Sequence, residues 1–309
     1  MMLQSTAILF CLLLGVFGGG RLAAAELEVQ KVTDGVYAIV GAIGQRAPDN
    51  LGNNATLGFI VTNDGVVLID SGGSYKGAQQ IHRAVKGVTD KPVRIVINTG
   101  GQDHRWLGNG YFKEQGARII AAEAAVADQK SRVHAQLSLL NRLVGEQGMA
   151  GTRPVHADET FDSRFELIVG GVNLQLYNPG TAHTPGDTYV WLPEQGVVFS
   201  GDIVYVERML AVGSVSNSRS WIQAFDAMAA LGPVHVVPGH GHPTDLEQAR
   251  ADTYDYLVAL RQGVADLLDR GFGLESLSEI DQSRFDYLKF YEDLKGPNAH
   301  AVFLEMEWE

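Results

Sequence analysis

The sequence predicts a layered α/β fold in which strands and helices are interspersed and helices dominate the C-terminal part. Short runs of apolar, largely β-branched residues end in glycine, asparagine or aspartate, which is typical of buried strands followed by turns. Other stretches carry apolar residues at spacings of three and four, as in amphipathic helices. With 45% hydrophobic and 19% charged residues, the 309-residue chain has the composition of a packed globular protein.

The first half of the chain is predicted to begin with a β-hairpin and to continue with alternating helices and strands. The hairpin turn is Asn63-Asp64-Gly65, a short polar sequence between two apolar runs. The predicted elements are, in order, strands at 56–62 and 66–70, a helix at 75–85, strands at 93–97 and 117–121, and a helix at 122–144.

The second half is predicted to hold a second hairpin, three further strands and a long terminal helix. Gly170-Gly171 forms the hairpin turn. The strands are expected at 165–169, 172–177, 188–192, 197–200 and 234–237. Thr244 and Glu247 match a capping box, which predicts that the helix begins at Thr244, and Gly271 is the expected end of its apolar stripe.

The N-terminal 25 residues are interpreted as a signal peptide. Ala7–Val16 is an apolar run too short to span a membrane, and Ala23-Ala24-Ala25 is a small-residue cleavage signal. Cleavage leaves residues 26–309 as a single domain with a helical segment from about 245 onward, exported to the periplasm and without a membrane span. An uncleaved N-terminal anchor helix is the alternative.

The net charge excludes a typical nucleic-acid-binding site, and the cysteine content excludes a metal site with cysteine ligands. The chain has 24 Lys and Arg against 36 Asp and Glu, a net charge of −12, and no basic cluster, which excludes a typical nucleic-acid binder. We therefore expect a small-molecule partner. The one cysteine, Cys11, lies in the predicted signal peptide. A metal site in the mature chain must then use histidine and carboxylate ligands.

Three polar segments follow predicted strands, where layered α/β folds usually place their ligand sites. Residues 98–105 follow the strand at 93–97, residues 180–187 follow the second hairpin, and 200–202 with 238–242 follow the last two strands. Imidazole and carboxylate groups suit Zn²⁺ or iron. The candidate ligands in these segments are His104, His183, Asp202 and His240.

These motifs resemble those of the metallo-β-lactamase superfamily along essentially the whole mature chain. The matching motifs are Thr184-Pro185-Gly186-Asp187 after His183, Ser200-Gly201-Asp202, and Pro238-Gly239-His240-Gly241. The resemblance implies a four-layer αββα sandwich with metal ions in a groove at the sheet edges. It also implies that His183 is a first-site ligand, Asp202 a bridging or second-site carboxylate, and His240 a second-site ligand.

The first metal motif departs from the family pattern H-x-H-x-D-H. With Asn98-Thr99 and Gly108-Asn109 aligned without gaps, Gly100 and Gln102 fall on the two histidine positions. His104 then falls on the aspartate and Arg105 on the last histidine. Because Gly100 has no ligating side chain and an amide oxygen is a weak ligand, the first site is predicted to be lost or very weak.

A shifted alignment remains open, in which Asp103-His104 is the family's Asp-His pair and Asp103 is an added ligand. Both alignments keep His104 and His240 and predict a single ion, zinc or alternatively iron, held with Asp202. A degenerate fold that binds no metal is the remaining possibility.

The resemblance predicts an exported metal-dependent hydrolase acting on a small ester, lactone, thioester or β-lactam. Asp202 is predicted to orient the attacking water, and Asp103 to pass a proton to the leaving group. The alternative is a pseudoenzyme, a periplasmic binding protein that keeps the sandwich without the reaction. The helical segments 122–144 and 281–308 are candidates for covering the groove, for a homodimer contact or for ordinary core packing.

Several nearby residues receive weaker interpretations. Asp187 is expected to tie its own loop, and Asp70 to support the groove structurally. Arg105 and Trp106 are expected either to contact an anionic or aromatic substrate or to pack in the core. His242 is expected near the site or on the surface.

Overall fold

The computed structural model describes residues 26–307 and residue 309, so the predicted signal peptide lies outside the described residues. The strands are β1 (Glu28–Thr33), β2 (Val36–Val40), β3 (Leu57–Thr62), β4 (Gly65–Ile69), β5 (Val93–Asn98), β6 (Arg118–Ala122), β7 (Glu159–Phe161), β8 (Arg164–Val169), β9 (Val172–Tyr177), β10 (Tyr189–Leu192), β11 (Val197–Phe199) and β12 (His235–Val237).

The helices lie between the strands and at the C-terminal end. They are α1 (Tyr75–Lys86), α2 (Asp103–Trp106), α3 (Asn109–Glu114), α4 (Glu123–Leu143), α5 (Gly145–Met149), α6 (Ser218–Ala229), α7 (Leu246–Ala249), α8 (Asp255–Asp269) and α9 (Tyr291–Met306). Short 3₁₀ turns occupy Gly201–Ile203, Leu274–Glu279 and Ser283–Phe285. None of the described helices combines the length and the apolar character needed to cross a membrane.

The strands form two sheets of different topology. In the first sheet the spatial order is β1 to β7, with β1 to β4 antiparallel and β4 to β7 parallel. In the second the order is β12-β11-β10-β9-β8, and only the pair of β11 and β12 is parallel. The parallel pairs bring the carboxyl ends of neighbouring strands to the same sheet edge.

Alternation along the strands produces four layers. In β3, Ile60 packs between the two sheets while Phe59 packs with Ile81 of α1 on the outer face of the first sheet. On the outer face of the second sheet, Trp191 packs with α6 and α8. Helices therefore cover both outer faces of the paired sheets, and the predicted four-layer αββα sandwich is confirmed.

Backbone hydrogen bonds join the loops of the two sheets at one edge. The Thr56 amide donates to the Gly239 carbonyl (2.7 Å), and the Thr188 amide donates to the Thr99 carbonyl (2.8 Å). The Ser200 amide donates to the Val237 carbonyl (3.0 Å) within the second sheet. The polar segments that follow the strands consequently share one groove.

Two predictions about local structure were wrong, and one hairpin was missed. Asp245, not Thr244, caps α7, because both backbone groups of Thr244 are already paired with Val236. The long terminal helix is interrupted by a π-helical segment at Arg250–Tyr254. The hairpin of β1 and β2 was missed, although its turn residue Gly35 takes φ +73°, a conformation that favours glycine.

Candidate metal centre

Three predicted ligands meet in one buried group. His104 lies on α2 directly after β5, Asp202 lies in the 3₁₀ turn after β11, and His240 follows β12. All three side chains are buried, and one potential ligand atom from each lies within 4.8 Å of the other two. Each ligand follows a strand end, so the fold itself brings together residues that are far apart in sequence.

His240 presents an unprotonated nitrogen to Asp202. Its Nδ1 lies 2.9 Å from the Asn54 carbonyl oxygen, and since a carbonyl can only accept, Nδ1 carries the proton. Burial lowers the pKa of His240 well below its ordinary value despite the contact with Asp202, so the ring is neutral near pH 7. Nε2 therefore turns its lone pair toward Asp202 Oδ1 at 3.3 Å. His240 Nε2 and Asp202 Oδ1 are both acceptors, so neither satisfies the other. A cation between them would satisfy both, and these residues therefore fit a metal ion.

His104 is held in a different tautomer. Its Nδ1 lies 2.9 Å from Arg46 Nη2, and its Nε2 lies 3.2 Å from Asp202 Oδ2. A guanidinium only donates, so Nδ1 accepts and the proton resides on Nε2, where it is shared with Asp202. Ligation through Nε2 requires this proton to move. Asp103 Oδ1, 3.3 Å from Nδ1, is placed to accept an Nδ1 proton when Arg46 withdraws.

Asp103 is a buried carboxylate with one oxygen unused. Its Oδ1 accepts a hydrogen bond from Arg46 Nη2 at 2.6 Å, whereas its Oδ2 has no hydrogen-bond partner among the described residues. Burial opposes ionisation, but Arg46 and His104 outweigh it and hold the pKa of Asp103 below its ordinary value. Asp103 is therefore an anion with a free acceptor atom, and it is His104 rather than Asp103 that faces Asp202.

Arg105 is completely buried and fixes the position of Asp202. Its Nε and Nη2 donate to the two Asp202 oxygens at 3.1 and 2.6 Å, and its Nη1 donates to Asp70 Oδ2 at 2.9 Å. Nη1 and Nη2 also donate to the Thr56 and Gly239 carbonyls. All donors of the guanidinium are used, so the packing interpretation of Arg105 holds and the substrate-contact interpretation was wrong.

The same ion pair keeps Asp202 charged. Burial disfavours the ionised form of Asp202, but Arg105 and His104 outweigh burial and hold the pKa of Asp202 well below its ordinary value. Trp106 is likewise fully buried, with its indole N–H donating to Gln136. Neither Arg105 nor Trp106 is accessible to a substrate.

The first-site positions do not form a comparable ligand set. A Cβ added at Gly100 would lie 2.6 Å from Asp187 Oδ1, so the space that a larger side chain would need is taken by that carboxylate. Gln102 Oε1 accepts a hydrogen bond from Arg132 Nη1 at 3.2 Å. His183 lies outside the three-residue group, although Asp202 and His104 both influence its titration.

The pKa values of His183 and Asp187 are strongly shifted. Burial lowers the pKa of His183 to about 4, and its Nδ1–H donates to the Ala211 carbonyl at 3.0 Å. Burial, reinforced by the charge of Asp202, raises the pKa of Asp187 to about 8. Asp187 accepts hydrogen bonds from the Thr184 amide and hydroxyl at 2.8 and 2.7 Å, and so ties its own loop as predicted.

Other predicted residues lie at the periphery or support the site. Asp70 accepts hydrogen bonds from the Thr99 amide and hydroxyl, consistent with its structural interpretation. His242 is on the surface and pairs with Glu207 at 2.8 Å.

Arg46 was missed by sequence reasoning. It lies in the connection between β2 and β3, residues 41–56, and has little local pattern of its own. The length of that connection was the available signal, since loops longer than about 12–15 residues in compact domains are usually functional or disordered.

Comparison with known proteins identifies the family. The profile of the metallo-beta-lactamase superfamily matches residues 52–240, more than half of the chain. The chain is 24% identical over 241 residues to a metallo-beta-lactamase type 2 of Elizabethkingia meningoseptica, covering 77% of this chain and 87% of that protein. It is 19% identical over 293 residues to a linear primary-alkylsulfatase of Pseudomonas sp. (strain ATCC 19151), covering 79% of this chain and 53% of that protein.

A solved structure shares the fold. The stereoselective inverting sec-alkylsulfatase Pisa1 from Pseudomonas sp. superposes with a TM-score of 0.70 at 18% identity, covering 91% of this chain and 50% of that one. The chain thus spans about half of the alkylsulfatases that it matches. Together with the profile match and the four-layer sandwich, these relationships confirm the predicted resemblance. The chain belongs to the metallo-β-lactamase superfamily.

Proposed function

We propose that this protein is a hydrolase that uses one divalent metal ion held by His104, Asp202 and His240. The observation that carries the proposal is the geometry of His240, whose unprotonated Nε2 faces the ionised Asp202 across 3.3 Å. The named relatives are hydrolases, which supports hydrolysis at the level of the superfamily. The substrate is a small ester, lactone, thioester or β-lactam.

The surrounding residues suit this chemistry. A divalent ion at such a site lowers the pKa of water toward ~7 and polarises a carbonyl group. Asp202, rigidly held by Arg105, orients the attacking water. Asp103 Oδ2, an unused acceptor on a buried carboxylate, takes up a proton and returns it to the leaving group. His183 lies beside the three ligands as a neutral imidazole and is a further candidate ligand on the first-site side.

The mixed imidazole and carboxylate donor set favours zinc and also accepts iron. The first-site positions, Gly100 and Gln102, support a single ion rather than a pair.

We further propose that the mature protein is the single domain 26–309, exported to the periplasm after removal of residues 1–25. A homodimer formed through the predicted helical segments is also part of this proposal.

A binding protein without catalysis is the second candidate. It is favoured by one observation, the hydrogen bond from Arg46 to His104 Nδ1, which holds His104 in the tautomer that does not ligate through Nε2. In this case Arg46 and Arg105 take the place of metal cations beside the site's carboxylates. The two candidates therefore differ in whether the centre takes up metal.

Elemental mass spectrometry on the mature protein, purified without chelators or a His tag, tests the proposal. We expect about one zinc or iron ion per chain, because one ligand set is complete. His240→Ala should lose both the ion and hydrolysis of ester, lactone and β-lactam probes. His242→Ala is the matched control, since His242 lies two positions away but pairs with Glu207 at the surface.

Each outcome decides between the interpretations. Two ions per chain would show that the first site is intact despite Gly100 and Gln102. No ion after zinc addition would favour the binding protein. Full activity in His240→Ala would overturn the assignment of this site.

A further inference from the structure

His183 is held by an irregular segment of backbone. Residues 204–217 join the 3₁₀ turn that carries Asp202 to α6 and form neither helix nor strand, and we call them the strap. Within the strap, the carbonyl of Ala211 accepts a hydrogen bond from His183 Nδ1 at 3.0 Å. Backbone without regular structure needs other partners for its polar groups. The position of the Ala211 carbonyl therefore depends on what holds the strap.

Asn298 of α9 binds the strap on both sides of Ala211. Its Oδ1 accepts a hydrogen bond from the Val212 amide at 2.8 Å, and its Nδ2 donates to the Leu210 carbonyl at 2.8 Å. Because a backbone amide only donates and a carbonyl only accepts, these two partners fix the orientation of the Asn298 side chain. Asn298 is 1% exposed, so bulk water does not compete for either bond.

One peptide group transmits this hold to His183. The Val212 N–H and the Ala211 carbonyl belong to the same planar trans peptide and point in opposite directions. Since the N–H is directed at Asn298, the carbonyl is directed away from it, to the side where His183 Nδ1 lies. Asn298 and His183 thus bind opposite sides of a single peptide group.

The Ala211 carbonyl decides which nitrogen of the neutral His183 ring carries the proton. A carbonyl only accepts, so the proton is on Nδ1 and Nε2 keeps its lone pair. The rings of Tyr205 and Trp221 lie 5.9 and 5.6 Å from the His183 ring, centroid to centroid, and limit its rotation. Histidines that bind metals generally donate their second ring N–H to a partner of this kind, which fixes both tautomer and orientation.

We propose that Asn298 is a positioning residue of the metal centre, which acts through the Ala211 peptide to keep His183 in the tautomer whose Nε2 can bind a metal ion. The role of His183 as a ligand rests on the proposed hydrolase function, whereas its tautomer can be tested without metal or turnover. Asn298 lies outside residues 52–240, which the family profile matches, so this support comes from the C-terminal helix that the profile does not cover.

Long-range hydrogen–nitrogen correlation NMR on the metal-free mature protein at neutral pH reports which nitrogen of His183 is protonated. His183→Gln assigns the signals, because they vanish in this variant. We expect Nδ1 to be protonated in the unmodified protein. Asn298→Leu keeps a similar side-chain volume but loses both bonds to the strap, and should give a mixture of tautomers. Its zinc dissociation constant, measured by competition with a chromophoric chelator, should rise about tenfold.

Two further variants separate positioning from general stability. The Tyr256 hydroxyl accepts a hydrogen bond from Asn298 Nδ2 at 3.0 Å and donates to Gln282 Oε1 at 3.0 Å. Tyr256→Phe removes both bonds from the same buried network but leaves the strap contacts, so it should lower stability without changing the His183 tautomer. Asn298→Asp keeps an acceptor for the Val212 amide and should retain the tautomer of the unmodified protein.

Three results would overturn the proposal. The first is an Nε2-protonated His183 in the unmodified protein, which needs no variant to fold. The second is an unchanged tautomer in Asn298→Leu, and the third is an equal change in Tyr256→Phe, since loosening of the core would then explain the effect.

Metal content measured on the same samples separates this proposal from the hydrolase. A His183 tautomer that depends on Asn298, in a protein that takes up no metal, would support the positioning role and reject the hydrolase. Metal uptake with an unchanged tautomer in Asn298→Leu would do the reverse.

Discussion

Two arginines determine the state of the candidate ligands at the scale of single residues. Arg105 holds Asp202 ionised and immobile from the buried side, with five hydrogen bonds to side chains and carbonyls. Arg46 approaches from the other side and holds His104 with its proton on Nε2. The contact of Arg105 with Asp202 keeps a carboxylate available as a metal ligand, whereas the contact of Arg46 with His104 opposes metal binding.

Removing Arg46 should therefore tighten metal binding. In Arg46→Ala, His104 Nδ1 can donate to Asp103, which frees Nε2, and we expect the zinc dissociation constant to fall about tenfold, the equivalent of one charged hydrogen bond. Competition with a chromophoric chelator measures this constant. Arg118→Ala removes the same charge from an exposed ion pair with Glu159 and is the control. Weaker zinc binding in Arg46→Ala would show that Arg46 supports the site.

At the scale of elements, the site depends on close contact between strand-end loops. The carbonyl of Gly239, after β12, accepts hydrogen bonds from Arg105 Nη2 and from the Thr56 amide, and so links the two sheets. A Cβ at this position would lie 2.4 Å from the Gly201 carbonyl oxygen and 2.6 Å from Arg105 Nη2. Glycine is required here by the approach of the neighbouring loop, not by an unusual backbone angle.

Gly239→Ala should separate these loops and weaken both the fold and the metal centre. We expect a loss of about 1–3 kcal/mol in the free energy of unfolding, as for overpacking of a tight interior. Urea denaturation measures the loss, and zinc titration should show weaker binding. Gly213→Ala is the control, because a Cβ there meets nothing closer than Ser216 Oγ at 3.8 Å. An unchanged denaturation midpoint in Gly239→Ala would contradict the role of this contact.

At the scale of the whole molecule, burying titratable groups between and beside the sheets makes stability depend on pH. Burial lowers the pKa of His183 from 6.5 to about 4 and holds the pKa of His240 well below its ordinary value. Asp187 has a pKa raised by burial, and secondly by Asp202, from 3.8 to about 8. The histidines therefore change stability below pH 6.5, whereas Asp187 changes it with the opposite sign from about pH 3.8 to about 8.

Metal-free protein should be most stable near neutral pH. Between pH 6.5 and about 4, His183 and His240 are protonated in the unfolded chain but stay neutral in the folded protein, so stability falls as pH falls. From about pH 3.8 to about 8, folded Asp187 retains a proton that the unfolded chain has released, which lowers stability as pH rises. The two histidines outweigh this effect below pH 6.5, so the net fall in stability with rising pH is seen above pH 6.5. Urea midpoints measured across this range test both slopes.

Two variants assign the slopes to their groups. His183→Gln should reduce the slope on the acid side, where His240 still contributes, and leave the alkaline side unchanged. Asp187→Asn should remove the alkaline slope and steepen the acid one. If either variant kept the slopes of the unmodified protein, the corresponding group would not be the source of the pH dependence.

The sequence by itself determined the layered α/β fold and the segments that carry the ligands. Alternating apolar residues specify which face of a strand is buried, and the glycine-rich turns after them mark where polar side chains can gather. His104, Asp202 and His240 were predicted on this basis, and the departure at Gly100 and Gln102 was visible in the motif. The missed hairpin of β1 and β2 shows the limit, because β1 is only partly buried and has a weak pattern.

Only the tertiary structure decided how these residues are paired. Arg46 and His104 are 58 positions apart, and His104 and Asp202 are 98 apart. No local pattern links such residues, because their hydrogen bonds depend on which loops the two sheets bring to the same edge. The tautomer of His104 and the carboxylate beside Gly100 both follow from that packing, since each is set by neighbours that are distant in sequence.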